Sequence, residues 1–451
     1  MTRNAETMEL DAPPVSPILR LPVEMFAAIL SMLDDLPSLL SAILTTRAFN
    51  NAFLEGKHTI LSHVLIKHVG VDVIFDALAA IEAEATATTR ASPFTSESIQ
   101  AFYVEHFRIG RPVPPFNDLG KAIAVAKLSA TVKAFTTRFA QWVAATSPEG
   151  MSTLTVTESA RVERAFYLFE TFCNLFRNRH RRSAEPVSRF HFFSTFCPWE
   201  LEQLGCIHDF LFHQVQPAYD DVVYHDVAWG AIEVEPAMSL ASPEIQAVLS
   251  TGLSSVYRLA TAETYEARHE LLYRWGGPPR KDDFFYEGLA RRFPTRFPSL
   301  PPYLDLDLGP RLAWEWAYAS SRRNMKIYHR SREVLRKWGY VFRDKARLDD
   351  IALFDKPFVP PRLPPERHEP SDEFTDTWWA REEISRAGGS GYWTPTYQSR
   401  VVYPAASKRS HPTVGRRFAT PSFANAKRES SVESARIEAA MRNKWRKTED
   451  S

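Results

Sequence analysis

Apolar side chains near the start of the chain recur with helical spacing. Phe26, Ile29, Leu30 and Leu33 fall at i, i+3, i+4 and i+7, which lines one face of a helix. Pro22 suits the first helical position, and Glu24 the first turn, where the helix dipole favours an anion. After a break at Asp34-Asp35 the spacing repeats through Leu36, Leu39, Leu40 and Ile43, with Pro37 opening the helix and an aspartate capping it. A third unit holds Phe49 and Phe53 and continues through Leu61, Val64 and Leu65. The pattern predicts a three-helix unit over 18–66, preceded by a flexible polar lead at 1–17.

Residues 67–98 read as a helix and a linker, the small polar run from about 82 to 98 being the loop. A larger body over 99–354 follows. Its segment 99–145 is helical on either side of the turn-forming RPVPPFND, and TSPEGMSTLT is a second linker. Thr155 and Glu158 have capping-box spacing, and Val162, Ala165, Phe166, Phe169, Phe172, Cys173 and Phe176 form the apolar stripe of the next helix. Pro198 opens another, PWELEQLGCIHDFLF, and Ser242-Pro243 a further one through Ile245, Val248 and Leu249. TAETYEARHELLYRW and a long helix over 313–340 complete the body. From 355 to 451 the chain is first Pro-rich and extended (KPFVPPRLPPERHEP), then basic and mostly disordered, with a short helix over 432–447. The fold class is mainly α: a three-helix unit, a larger irregular helical domain and a disordered tail.

Composition narrows this picture. Only 17 of 451 residues are Gly, too few for the left-handed turns of a hairpin-rich barrel or propeller, and no fixed-period repeat occurs. Lys+Arg and Asp+Glu nearly cancel, 55 against 54, so the whole chain carries no field that draws it onto nucleic acid or an anionic membrane. Three cysteines without CxxC spacing disfavour a disulfide framework. No apolar stretch reaches the roughly 18 residues of a membrane span, and the acidic, Pro-containing N-terminus does not read as a signal peptide. The expected location is cytoplasmic or nuclear.

Three helices in about 45 residues bury too little surface to be securely stable alone. Leu21, Met25 and Leu36 are left over from the packing faces, and such surface on a small module waits for a partner. Leu21-Pro22, Glu24, Ile29-Leu30, Leu33, the DDLPSLLSAI run, and Arg47 followed by Phe49 together resemble an F-box, notably the divergent F-boxes of filamentous-fungal proteins. Thr45-Thr46-Arg47 stands where that family usually has Val-Cys-Arg, and Phe49 where many members place Trp. CPWELEQL, HDVAWG and KWGYVFRDKARLD resemble a group of fungal F-box-like proteins without assigned chemistry. The resemblance implies a non-catalytic substrate receptor that docks on the adaptor Skp1 of a cullin-based ubiquitin ligase and presents an unknown target protein. Leu21, Pro22, Met25, Ile29, Leu30, Leu33, Leu36, Leu39 and Leu40 would form the docking surface. The alternative is an F-box-like scaffold or basic-surface binder outside any ligase.

Other chemistry has weaker sequence support. Cys197, Cys206, His208 and His213 lack metal-site spacing, since histidines five apart on a helix diverge more than a chelating i, i+4 pair. Asp220, Asp221, His225 and Asp226 read as a capped helix start. No phosphate loop, dinucleotide fingerprint, zincin motif or hydrolase elbow occurs, and no cofactor or metal is expected. RNRHRR at 177–182 suits a helix C-terminus. Arg322, Lys326 and Arg330, with Lys337 beyond them, form a stripe suited to an anion or an acidic partner. Basic pairs in the tail, such as Lys408-Arg409 and Arg416-Arg417, have the character of a nuclear import signal.

Overall fold

A computed structural model of the chain describes residues 18, 21–89, 96–106, 116, 118–149, 151–176, 189, 192–225, 227–228, 243–273, 305–319, 330–361, 390–392 and 401–402. The lead 1–17, the run 177–182, Arg322 and Lys326, the side chain of Arg330, and most of 355–451, including the helix expected over 432–447, lie outside the described residues.

The first three helices form where the periodicity puts them: α1 (Val23–Ser31), α2 (Leu36–Ile43) and α3 (Arg47–Val69). Asp35 caps α2, its carboxylate accepting from the Ser38 amide at 2.7 Å, and the Thr46 hydroxyl accepts from the Phe49 amide at 3.3 Å to start α3. The Phe26 and Phe49 rings meet edge to face at 4.9 Å and lock α1 onto α3. Helix α3 kinks at Gly56 and runs on to Gly70, whose φ of 111° ends it. It therefore crosses the expected boundary at residue 66 without interruption and packs on the body as well.

Helix α4 (Ile74–Thr89) replaces the first half of the loop expected over 82–98. Its small polar composition is alanine-rich, and alanine is the strongest helix former. Helices α5 (Ser96–His106), α6 (Leu119–Ala144), α7 (Val156–Phe176) and α8 (Pro198–His225) follow. Helix α8 continues past Pro217, so Asp220, Asp221 and His225 lie at the end of a helix rather than its start. Then come α9 (Pro243–Leu249), α10 (Leu253–Ala260), α11 (Tyr265–Tyr273) and α12 (Gly309–Tyr318). Helix α10 had no sequence signal of its own. Gly252, at φ 91°, turns the chain into it, and Glu170 of α7 receives the Leu253 amide at 2.6 Å.

Helix α7 is the axis of the body, buried on nearly every side. Against it Phe135 and Phe139 of α6 interlock with Phe166 and with Phe210 of α8; the Phe139 and Phe210 centroids are 5.3 Å apart. One apolar core runs from Phe26 to Leu348 and joins the N-terminal helices to the body.

The long helix expected over 313–340 is broken. Helix α12 ends at Tyr318; the chain is described again from a short 3-10 turn at Arg330–Arg332, then α13 (Glu333–Arg336), a 3-10 turn at Tyr340–Phe342, and α14 (Lys345–Asp350). Gly339 at φ 65° forces a turn between α13 and the second 3-10 turn. Lys337 pairs with Glu333 at 3.2 Å along the exposed side of α13.

The chain is mainly α, with one small sheet that the sequence pattern did not predict. Strands β1 (Val227–Ala228) and β2 (Ser390–Tyr392) pair in parallel, and β3 (Val401–Val402) pairs antiparallel with β2. Short pieces of the C-terminal region thus return to the body.

Candidate functional site

The nine residues expected on the docking surface divide by burial. Leu30, Leu36 and Leu39 are sealed in the chain's own core, which corrects their placement at a surface. The reason is local: Leu30 lies one turn beyond Phe26 on the face of α1 that meets α3, and Leu36 and Leu39 share the inner face of α2. Leu21, Ile29, Leu33 and Leu40 are half-buried, while Pro22 and Met25 are exposed. Sequence spacing missed two of the most exposed apolar residues. Met32 is 72% exposed and Leu44 85%. Met25, Ile29 and Met32 fall at i, i+4 and i+7, so the α1 segment presents an outer apolar row flanking its buried one, with Ile29 nearest the inner face. Leu40 and Leu44 form a second such pair at the end of α2.

A different group of residues, which periodicity did not reveal, lies inside the body. Arg336 of α13 is fully buried; its Nε lies 2.7 Å from Asp209 Oδ2 and its Nη1 3.3 Å from Glu202 Oε1, both on α8. Tyr318 donates to Glu202 at 3.0 Å. His208 Nε2 is 2.7 Å from the Gln246 amide nitrogen, and Nδ1 is 3.4 Å from Asp209. With the proton on Nδ1, His208 accepts from Gln246 and donates to Asp209. Burial pushes both carboxyls up. At Asp209 the closer Arg336 and His208 outweigh it and hold the group down at about 2. At Glu202 burial prevails over the more distant guanidinium, and the carboxyl stays above the usual range.

A second cluster clamps the segment after α13 to the start of α7. Thr155 and Glu158 form the expected capping box, each accepting from the other's amide, at 3.1 and 3.2 Å. Glu158 also receives Arg343 at 3.2 Å, Arg347 at 2.6 Å and the Asp344 amide at 3.0 Å. Arg161 pairs with Asp305 and, at 2.7 Å, with Asp344. Asp307 receives the Lys345 amide at 3.0 Å, and a Cβ on Gly309 would collide with the Arg343 carbonyl, so only glycine allows this approach.

These clusters hold acids, bases and a histidine together, as a catalytic centre would. Catalysis also needs substrate to reach them, and Glu202, His208, Asp209 and Arg336 are all sealed from solvent. Their geometry is that of a clamp. Cys197 and Cys206 are buried thiols, and among the described residues no group of three His, Cys, Asp or Glu side chains is placed to hold an ion. No described helix is long and apolar enough to cross a membrane. No family model, curated protein or solved structure matches this chain.

Asp76 and Glu200 carry a pH signature. Burial raises Asp76 to about 6, with Arg164 at 3.5 Å offsetting only part. Burial likewise raises Glu200 to about 7, against the hydrogen bond it receives from the Cys197 amide at 2.8 Å. A folded-state pKa above the unfolded value stabilises at low pH, and that contribution is lost as pH rises through it. Thermal unfolding should therefore show a falling Tm from about pH 5 to pH 8, worth on the order of 3 kcal/mol in all. Below about pH 4 the trend reverses as Asp209, held down at about 2, takes up a proton. An Asp76→Asn variant should flatten the slope between about pH 5 and 7; an unchanged slope would remove Asp76 as its source.

Proposed function

We propose that the protein is a non-catalytic substrate receptor whose N-terminal helices dock on a Skp1-type adaptor of a cullin ubiquitin ligase. The observation that carries this reading is the outer apolar row of α1, in which Met25 and Met32 face water on either side of the half-buried Ile29, on a unit whose inner row is satisfied. Pro22 and the half-buried Leu21, Leu33 and Leu40 border it, and the resemblance of 20–55 to an F-box supplies the partner class. The body then holds the target. A ligase of this kind gains rate by proximity: tethering gives effective concentrations on the order of mM over short spans, with no side chain of this chain touching the ubiquitin thioester. Helix α3 supports the arrangement because it belongs to the docking unit and the body alike, which fixes the direction in which a target is presented.

The test uses exposed positions, since a charge at buried Leu30 would unfold the unit. Full-length Met25→Asp/Met32→Asp should lose at least tenfold of its recovery with purified Skp1 while keeping the wild-type melting curve. Equal recovery of Skp1 by wild type and variant, or none by either, overturns the assignment.

A further inference from the structure

The segment KPFVPP at 356–361 follows the last 3-10 turn, Leu353–Asp355, and the N-terminal docking reading makes no use of it. Pro357, Pro360 and Pro361 each fix φ near −65°. Lys356, Val359 and Pro360 precede prolines and are confined to extended conformations; Lys356 has φ −124° and ψ 138°. Residues 356–361 belong to no helix or strand. Lys356 thus leads in from the β region, and the three prolines favour a left-handed polyproline II course, with three residues per turn, for the residues after it.

Three residues per turn give three edges: Lys356 with Val359, Pro357 with Pro360, and Phe358 with Pro361. The body takes hold of the third. The Phe358 ring packs 5.2 Å from Trp316 and 5.4 Å from the Arg332 guanidinium, and it is the one half-buried side chain of the six. Trp316 Nε1 donates to the Lys356 carbonyl at 2.7 Å, pinning the start of the segment. The other two edges face water. Lys356, Pro357 and Pro360 are exposed, and Val359 is 78% exposed.

We propose that this segment is a docking ligand for an SH3-type domain, a partner whose aromatic-lined groove reads two edges of a polyproline II helix and carries an acidic pocket beside it. Such grooves accept residue-proline pairs one turn apart, here Lys356-Pro357 and Val359-Pro360. Lys356, exposed on the Val359 edge, supplies the cation that the acidic pocket selects. Anchoring Phe358 and the Lys356 carbonyl orders the peptide before it meets a partner, which lowers the entropy lost on binding. The proposal is independent of the N-terminal docking reading, because it uses a different part of the chain and a different partner chemistry.

Titration of the full-length protein with a panel of purified SH3 domains, and with WW domains for comparison, tests it. At least one SH3 domain should bind with a micromolar Kd. Pro357→Ala/Pro360→Ala, which alters only exposed side chains, should weaken that binding at least tenfold without moving the melting curve, and Lys356→Glu should weaken it to a similar degree. Binding no tighter than about 1 mM across the SH3 panel, affinity unchanged in the double variant, or capture by WW domains alone would overturn the proposal.

Discussion

Arg336→Ala should cost about 3–5 kcal/mol of folding stability at neutral pH, since breaking a buried ion pair leaves its partner charge uncompensated. Arg336 lies between Asp209 and Glu202, and all three are sealed from water. Removing the guanidinium takes from Asp209 the larger of the two favourable charges, Arg336 and His208, that hold it at about 2. Glu202 shares the deficit, though it keeps the Tyr318 hydrogen bond. Arg336→Ala/Asp209→Asn should recover part of the loss, because the stranded charge is gone. The penalty should also shrink at about pH 4, where a stranded carboxyl whose pKa rises with burial can take up a proton. Urea unfolding of the wild type and both variants measures all three quantities. A single-variant loss under about 1 kcal/mol would show that α13 is held to α8 by its apolar neighbours instead.

Phe139→Ala should have an effect of similar size, about 3–5 kcal/mol, through a different mechanism. The Phe139 ring meets Phe166 of α7 at 6.4 Å, Phe210 of α8 at 5.3 Å and Phe342 of the 3-10 turn at 5.4 Å, all near edge to face. A Cβ on Gly339 would sit 3.4 Å from the tip of this ring, so the left-handed turn there is shaped against it. Truncation leaves a cavity at the meeting point of three helices and a turn, and the rigid rings around it cannot collapse inward. Phe139→Leu, which refills most of the volume, should restore roughly half of the loss. Equal losses for Ala and Leu in chemical unfolding would point to ring-ring geometry rather than volume as the source.

The contrast between these two residues explains what the sequence could and could not disclose. Apolar periodicity is a property of one element at a time. It located α1, α2, the capped start of α7 and the Pro198 opening of α8, because each buries a continuous stripe against whatever lies beneath. Phe26 and Leu30 were legible as an inward face for that reason. Whether Met25, Ile29 and Met32 face water or another helix depends on neighbours far away in sequence, and periodicity is silent about it.

Buried arginines were illegible for a sharper reason. Arg332, Arg336 and Arg343 look like solvated charges, since arginine is almost never sealed unless paired. Arg332 donates to the nearby Ala317 carbonyl, but the partners of Arg336 and Arg343, namely Asp209, Glu202 and Glu158, lie more than 100 residues earlier. Where the helix expected over 313–340 gives way to α13 and the turn after it, Arg336 and Arg343 turn inward to reach α8 and α7, while Lys337 stays on the exposed side. Glu158 shows both sides of the matter: its local role as a capping partner was readable, and its role as the anchor of Arg343 and Arg347 was not.

One rod, α3, kinked at Gly56 but continuous in the chain, spans the seam between the front of this protein and the rest. Val64, Leu65 and Val69, near its far end, are fully committed to the interior. The front therefore does not behave as an exchangeable cassette. Grafting its first helices onto another protein would require sawing through that rod and leaving its severed end greasy.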